Sequence, residues 1–109
     1  MLCSSGAAVN AYSTWGAYGA SKAALNHLGL TLATEEPAVT TVSLRPGVVD
    51  TDMQKSIREV HHEAMDQKDA AKFAELKRSG GLLRPEQPGH VMARLVMDAP
   101  KELSGQFLR

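Results

Sequence analysis

Ala17-Tyr18-Gly19-Ala20-Ser21-Lys22-Ala23-Ala24-Leu25-Asn26 is the stretch that decides how this chain folds. It opens a proline-free run in which Ala20, Ala23, Ala24, Leu28, Leu30 and Leu32 predict a helix over 17–35 with a small-residue, largely apolar surface. Pro37 ends that helix, because proline restricts the residue before it and cannot continue the hydrogen-bond ladder. Tyr18 and Lys22 then lie one turn apart on one face. A phenol gives up its proton reluctantly near neutrality, with an unperturbed pKa of about 10. A neighbouring ammonium favours the phenolate and turns such a group into a usable acid. Tyr-x-x-x-Lys alone is common by chance and describes many helices with an exposed tyrosine and an exposed lysine. The residues on either side reverse that reading.

Upstream, Met1–Cys3 reads as the tail of a strand, and Ser4-Ser5-Gly6-Ala7-Ala8 as a small-residue turn in which a serine hydroxyl can face a cleft. A loop over 9–16 carries Tyr12 and Trp15. Downstream, the β-branched Thr40-Thr41-Val42-Ser43-Leu44 predicts a short strand, broken by Arg45-Pro46-Gly47 and followed by the loop Val48–Met53. Residues 54–78 are charge-rich and predict two helical pieces with a break near 66–69. Ile57, Val60 and Ala64 form one apolar stripe there, Phe73 and Leu76 a second. Ser79-Gly80-Gly81 stops the run. Pro85 and Pro88 mark another helix start, Val91, Met92, Leu95 and Val96 recur at helical spacing through Asp98, and Ser104–Leu108 reads as a last strand. Strand end, helix, strand, helical excursion, helix, strand is the alternation of a parallel α/β sheet with crossover helices. Three short parallel strands leave raw edges, so the sheet is expected to be part of something larger.

With 109 residues, 43% hydrophobic and 22% charged, the chain has the size and composition of one globular domain. Twelve basic and twelve acidic side chains cancel, which argues against nucleic acid or an anionic membrane as partner. The single Cys3 excludes an internal disulfide and fits a reducing compartment. No secretory signal pattern opens the chain and no apolar run approaches a membrane span, so the cytoplasm is the expected location.

Three spacings coincide: Ser5 lies 13 residues before Tyr18, Lys22 four after it, and Pro46-Gly47 with Thr51 closes the next strand. With Ser4-Ser5-Gly6-Ala7, Tyr18–Asn26, Arg45-Pro46-Gly47-Val48-Val49-Asp50-Thr51-Asp52-Met53 and Leu103–Leu108, they make a chain that resembles, over essentially all its length, the C-terminal half of a short-chain dehydrogenase/reductase. Trp15–His27 and Leu82-Leu83-Arg84-Pro85-Glu86 are similar to a narrower branch, the fungal benzil reductases and related sepiapterin reductases, which are NADPH-dependent carbonyl reductases.

The resemblance implies a Rossmann-type, doubly wound αβα sheet without its dinucleotide-binding N-terminal half, as one partial domain over 1–109. It implies that Tyr18 protonates a ketone or diketone oxygen and also contacts the cofactor, that Lys22 assists it and bonds the nicotinamide ribose, and that Ser5 fixes the substrate oxygen. Ser4, one residue further from Tyr18, fits the serine position less well. Pro46 and Gly47 would approach the nicotinamide, with the Val49 amide and Thr51 hydroxyl on its carboxamide. Trp15, Met53 and Ile57 would line the substrate pocket under a cap formed by 54–81. NADP(H) is expected in preference to NAD(H), with a small-molecule carbonyl as substrate and a homo-oligomer built through the Tyr18/Lys22 helix. The glycine-rich phosphate turn, the adenosine-ribose selector and the helical asparagine of the family's tetrad are not among these residues. The chain is therefore expected to be a fragment (a truncated gene model, an alternative start or a degenerate copy) that is inactive alone.

Other readings are weaker. Gly19-Ala20-Ser21-Lys22-Ala23 lacks the last glycine of a hydrolase nucleophile elbow and sits inside a helix. His61-His62-Glu63 diverge around a helix and form no His-Glu-x-x-His, so no metal site is expected. A non-catalytic module that associates with a full-length relative through the alanine-rich helix is the alternative of a different class.

Overall fold

The structure, a computed structural model, describes all 109 residues. Strands β1 (Leu2–Cys3), β2 (Ser43–Leu44) and β3 (Phe107–Leu108) form a parallel sheet in the order β1-β2-β3, with Leu2 opposite Ser43 and Ser43 opposite Phe107. Backbone bonds from Leu2 to Val42 (2.7 Å), from Ser4 to Leu44 (2.8 Å) and from Arg45 to Leu108 (2.9 Å) carry the ladder past the strand ends. The strand expected over 40–44 is central, and Thr41, Val42, Ser43 and Leu44 are all buried, as a parallel strand with neighbours on both sides requires.

Helix α1 (Gly16–Glu35) returns across the sheet between β1 and β2. Gly29, its one buried residue, lets it sit close: a Cβ there would fall 2.7 Å from Ser43 Oγ and 3.2 Å from Leu2 Cδ1. Helix α4 (Glu86–Asp98) leads to β3 through a 3-10 turn over Lys101–Leu103. Val91 and Val96, placed at helical spacing with Leu95 and Met92 respectively, are 52% and 63% exposed. The molecule measures 46 × 27 × 17 Å with a radius of gyration of 15.4 Å, against roughly 13 Å for a compact chain of this size. It is a flat body, and α4 finds little to bury against.

The 54–78 region is helical, as expected. Helix α2 (Asp52–Ser56) passes into a π turn over Ile57–His61 and a 3-10 turn over His62–Ala64. A break at Met65 and Asp66 then precedes α3 (Gln67–Arg78). Ile57, Met65 and Phe73 are buried together against Tyr12, Trp15, Val48, Ala70 and Leu76. Each of the three contributes about 1.5–3 kcal/mol by leaving water. The Ile57/Val60/Ala64 stripe does not survive: Val60 is 65% exposed and Ala64 is exposed too. The wider π turn breaks the 3.6-residue period that would have aligned them.

Ser13 fastens this excursion to the 9–15 loop. Its hydroxyl accepts from the Asp66 N–H (2.7 Å), and its own N–H donates to the Asp69 carboxylate (3.1 Å). Ser13→Ala is expected to cost about 1 kcal/mol, the usual worth of one such bond. Amide exchange at Asp66 and Ala70 should accelerate several-fold while the α1 amides stay unchanged; uniform acceleration along the chain would contradict a local latch.

Candidate active site

Parallel strands deliver their following loops to one edge of the sheet, and a crossover helix begins at that same edge. The turn after β1 (Ser4–Gly6), the first turns of α1 (Tyr18, Lys22) and the loop after β2 (Pro46–Thr51) therefore share it. The closest approach is at Gly19, where a Cβ would stand 2.8 Å from the Ala7 carbonyl oxygen. Any larger residue beside Tyr18 would push α1 away from the 3-10 turn Gly6–Ala8, whose N-cap is Ser5.

Ser5 Oγ accepts from the Ala7 N–H at 3.2 Å, which fixes its rotamer and leaves its own proton free to donate. Ser4 is 3% exposed, and its hydroxyl donates back to the Lys22 carbonyl at 3.4 Å. Lys22 Nζ donates to the Cys3 carbonyl at 2.9 Å and stands 5.7 Å from the centre of the Tyr18 ring. An ammonium has three donors, so two stay available after the bond to Cys3. Tyr18 is half-buried, with its ring and that of Trp15 T-shaped to one another and their centres 5.5 Å apart.

In the second loop Gly47 adopts φ +84°, a conformation that favours glycine, with Leu83 Cδ1 2.9 Å from where a Cβ would be. A parallel bridge joins Val49 to Leu83 through bonds from Leu83 N–H to Val48 and from Asp50 N–H to Leu83; the Val49 N–H takes part in neither. Thr51 Oγ1 donates to the Val49 carbonyl at 3.3 Å. Asp50 pairs with Lys77 of α3 at 2.7 Å and ties this loop to the excursion. A cleft of about 610 Å³, lined by Asp50, Thr51, Asp52, Lys55, Arg58, Glu59, Lys77 and Pro85, contains none of Ser5, Tyr18 or Lys22.

The three residues expected to line a pocket separate. Trp15 is half-buried and stacks on Phe73 at 5.5 Å, with Tyr12 tilted at 5.3 Å. Met53 is 52% exposed. Ile57 is 4% exposed inside the hydrophobic cluster, because the turn of helix that carries it faces Trp15 and Phe73. It packs, rather than presenting a free wall. The Ser13 latch, the bond from Lys22 to Cys3 and the polar pair Gln54 and Arg58 were not singled out from sequence. They join residues 19 to 56 positions apart or depend on a π turn, and no local pattern announces either.

A family model described as short chain dehydrogenase matches residues 2–62. Over 113 aligned residues the chain is 48% identical to a benzil reductase ((S)-benzoin forming) of Saccharomyces cerevisiae, covering 100% of this chain and 43% of that protein. It is 42% identical over 76 residues to the sepiapterin reductase of Bos taurus, covering 70% of this chain and 27% of that one. A crystal structure of a short-chain dehydrogenase/reductase from Saccharomyces cerevisiae superposes with a TM-score of 0.93 at 44% identity, over 97% of this chain and 43% of that one. The chain thus spans less than half the length of the relatives it matches.

Proposed function

Because this chain belongs to the short-chain dehydrogenase family, whose members are NAD(P)-dependent oxidoreductases, we propose that it carries the proton-donating, nicotinamide-side part of a carbonyl reductase. One observation supports this most: Lys22 Nζ is anchored at the carboxyl end of β1, 5.7 Å from the Tyr18 ring, beside the turn that Ser5 caps. Tyr18 donates a proton to the substrate oxygen, Ser5 holds that oxygen by a hydrogen bond, and Lys22 stabilises the phenolate left behind. The nicotinamide, when bound, supplies the hydride.

The donors suit the nicotinamide end of such a cofactor. Lys22 keeps two N–H groups for ribose hydroxyls, and the Val49 N–H, outside the bridge, is free for a carboxamide oxygen, with Thr51 beside it. Pro46 and Gly47 bring bare backbone to the same edge. The resemblance of 15–27 and 82–86 to the benzil and sepiapterin reductases favours NADP(H) over NAD(H) and a ketone or diketone substrate. A single, exposed and unpaired Cys3 fits a reducing compartment such as the cytoplasm. Residues 54–81 form the cap, with Trp15 and Met53 at the substrate side. These 109 residues hold no glycine-rich strand–turn–helix to cradle a diphosphate, so turnover by them alone is expected to be slow or absent.

The test joins this chain to the N-terminal part of the Saccharomyces benzil reductase. That chimera should oxidise NADPH when given benzil, with benzoin as product. A folded chimera that binds NADPH and forms no benzoin would refute the proposal.

A second reading rests on the outward face of α1, where Leu28 and Leu30 are 47% and 53% exposed beside exposed Ala20, Ala23 and Ala24. Small and apolar, that face suits close association, either in a homo-oligomer or with a full-length relative. Silence toward NADPH, combined with co-purification of such a relative, favours the module over the enzyme.

A further inference from the structure

Tyr18 lies in the first turn of α1, so the helix fixes its Cα and Cβ and leaves the side-chain torsions to its neighbours. Two contacts bear on its half-buried ring. Lys22 Nζ stands 5.7 Å from the ring centre and is tied to the sheet through the Cys3 carbonyl. The Trp15 ring meets it T-shaped, at 82° with centres 5.5 Å apart. Trp15 is tied elsewhere, to the excursion. Phe73 of α3, 3% exposed, stacks on it at 17° with centres 5.5 Å apart. Tyr12 tilts against both rings at 5.3 and 6.0 Å, and Lys72, next to Phe73, donates to its hydroxyl at 3.1 Å.

The backbone under Trp15 is held against its preference. A bond from the Trp15 N–H to the Tyr12 carbonyl (3.2 Å) closes a four-residue turn, and Thr14 in its third position adopts φ +65°. That position calls for glycine or asparagine when φ is positive. For a β-branched residue it is an outlier, and Thr14 is the one residue other than glycine in this chain to adopt it. Such strain persists where surrounding contacts over-determine it. Here they grip from both sides. Ser13 is latched to Asp66 and Asp69 of the excursion, and the Trp15 carbonyl accepts from the Gly19 N–H of α1 at 2.8 Å. The turn thus bridges the excursion to the helix that carries the phenol, with Trp15 in contact with both.

We propose that Trp15 is a positioning residue for Tyr18 and that Phe73 sets it, so that the excursion, besides covering the site, orients the phenol toward the substrate oxygen. The inference deepens the carbonyl-reductase reading above and rests on it for the role of the phenol. Phe73 acts only through Trp15. Proton transfer is sensitive to distance and direction, and a misplacement of about 1 Å can cost about 10²-fold in rate.

The first test uses the 109-residue chain. It holds two tyrosines and one tryptophan, so Tyr18→Phe assigns the ring signals in an NMR spectrum. Cross-relaxation between the Trp15 and Tyr18 ring protons should be present in the parent and lost in Phe73→Leu, with a shift of the Tyr18 ring signals. Ser13→Ala, which frees the latch without opening a cavity, should weaken the same cross-peaks and serves if Phe73→Leu does not fold. The second test uses the chimera with the Saccharomyces benzil reductase. Phe73→Leu should lower kcat for benzil about tenfold or more with little change in the KM for NADPH, and should cost nothing further in a Tyr18→Phe background. Unmoved Tyr18 signals with intact cross-peaks in Phe73→Leu overturn the positioning role and leave the Tyr18 reading standing. In a chimera that depends on Tyr18, an equal fall of kcat in both backgrounds does the same. Cross-peaks lost in Phe73→Leu, together with a chimera whose activity survives Tyr18→Phe, support the path from excursion to ring and refute the Tyr18 reading.

Discussion

Tyr18→Phe, introduced into the chimera with the Saccharomyces benzil reductase, is expected to lower kcat and kcat/KM for benzil together by about 10²–10⁴, the usual contribution of a positioned general acid. The substitution removes one oxygen and keeps the ring, so the edge contact with Trp15 and the packing of α1 remain. The KM for NADPH should rise far less than kcat falls, because the phenol is one of several groups at the nicotinamide riboside and its main loss is at the developing oxyanion. Lys22→Met should show a comparable fall with a raised KM for NADPH, since one ammonium is asked to serve both phenolate and ribose. Ser4→Ala provides the contrast. Its hydroxyl is already committed to the Lys22 carbonyl, so its loss should cost about 1 kcal/mol of stability and little rate. A chimera that keeps more than about a tenth of its activity after Tyr18→Phe would remove the phenol from the mechanism.

Gly29→Leu is expected to be the most damaging single change to the fold. Alanine there gains about 1 kcal/mol of helix propensity. Its Cβ, however, would lie 2.7 Å from Ser43 Oγ on the central strand and 3.2 Å from Leu2, and overpacking of that kind costs roughly 1–3 kcal/mol. The two nearly cancel for alanine, and leucine tips the balance. The remaining atoms have no room between α1 and the sheet, and a net loss of about 2–3 kcal/mol lowers Tm by roughly 8–24 °C in a domain of this size. Gly89 in α4 is the control, with nothing within 4 Å of its Cβ position. Gly89→Ala should raise stability by up to about 1 kcal/mol. Thermal unfolding followed by circular dichroism separates the cases, and a Gly29→Leu variant with the Tm of the parent would mean that α1 does not rest on the sheet at that point.

The order of elements was legible because it depends on local chemistry. Pro37 closes its helix, the β-branched run at 40–44 marks the central strand, and Gly47 sits where φ is positive. The sheet edge that receives segments 4–6, 18–22 and 46–51 follows from the same alternation, since parallel strands joined by crossovers leave those segments no other end of the sheet. Packing within the excursion was not. The π turn at Ile57–His61 carried Ile57 into the cluster and left Val60 in solvent, and no periodicity argument at 3.6 residues per turn foresees a local change of period. The apolar face of α4 followed the helical pattern, yet Val91 and Val96 stayed exposed, because pattern reports which side is apolar and not whether anything covers it.

The sharpest question is whether Lys22, Tyr18, Val49 and Thr51 together form one seat for a nicotinamide riboside. Reduced nicotinamide mononucleotide carries that half of the cofactor without the adenosine, so it can be titrated into the 109-residue chain while the NMR spectrum is followed. Binding should shift the amides of Val49 and Thr51 and the side chains of Tyr18 and Lys22, and Lys22→Met should weaken it about tenfold or more. Shifts scattered over other surfaces, or an affinity indifferent to Lys22→Met, would contradict a common site on this edge of the sheet.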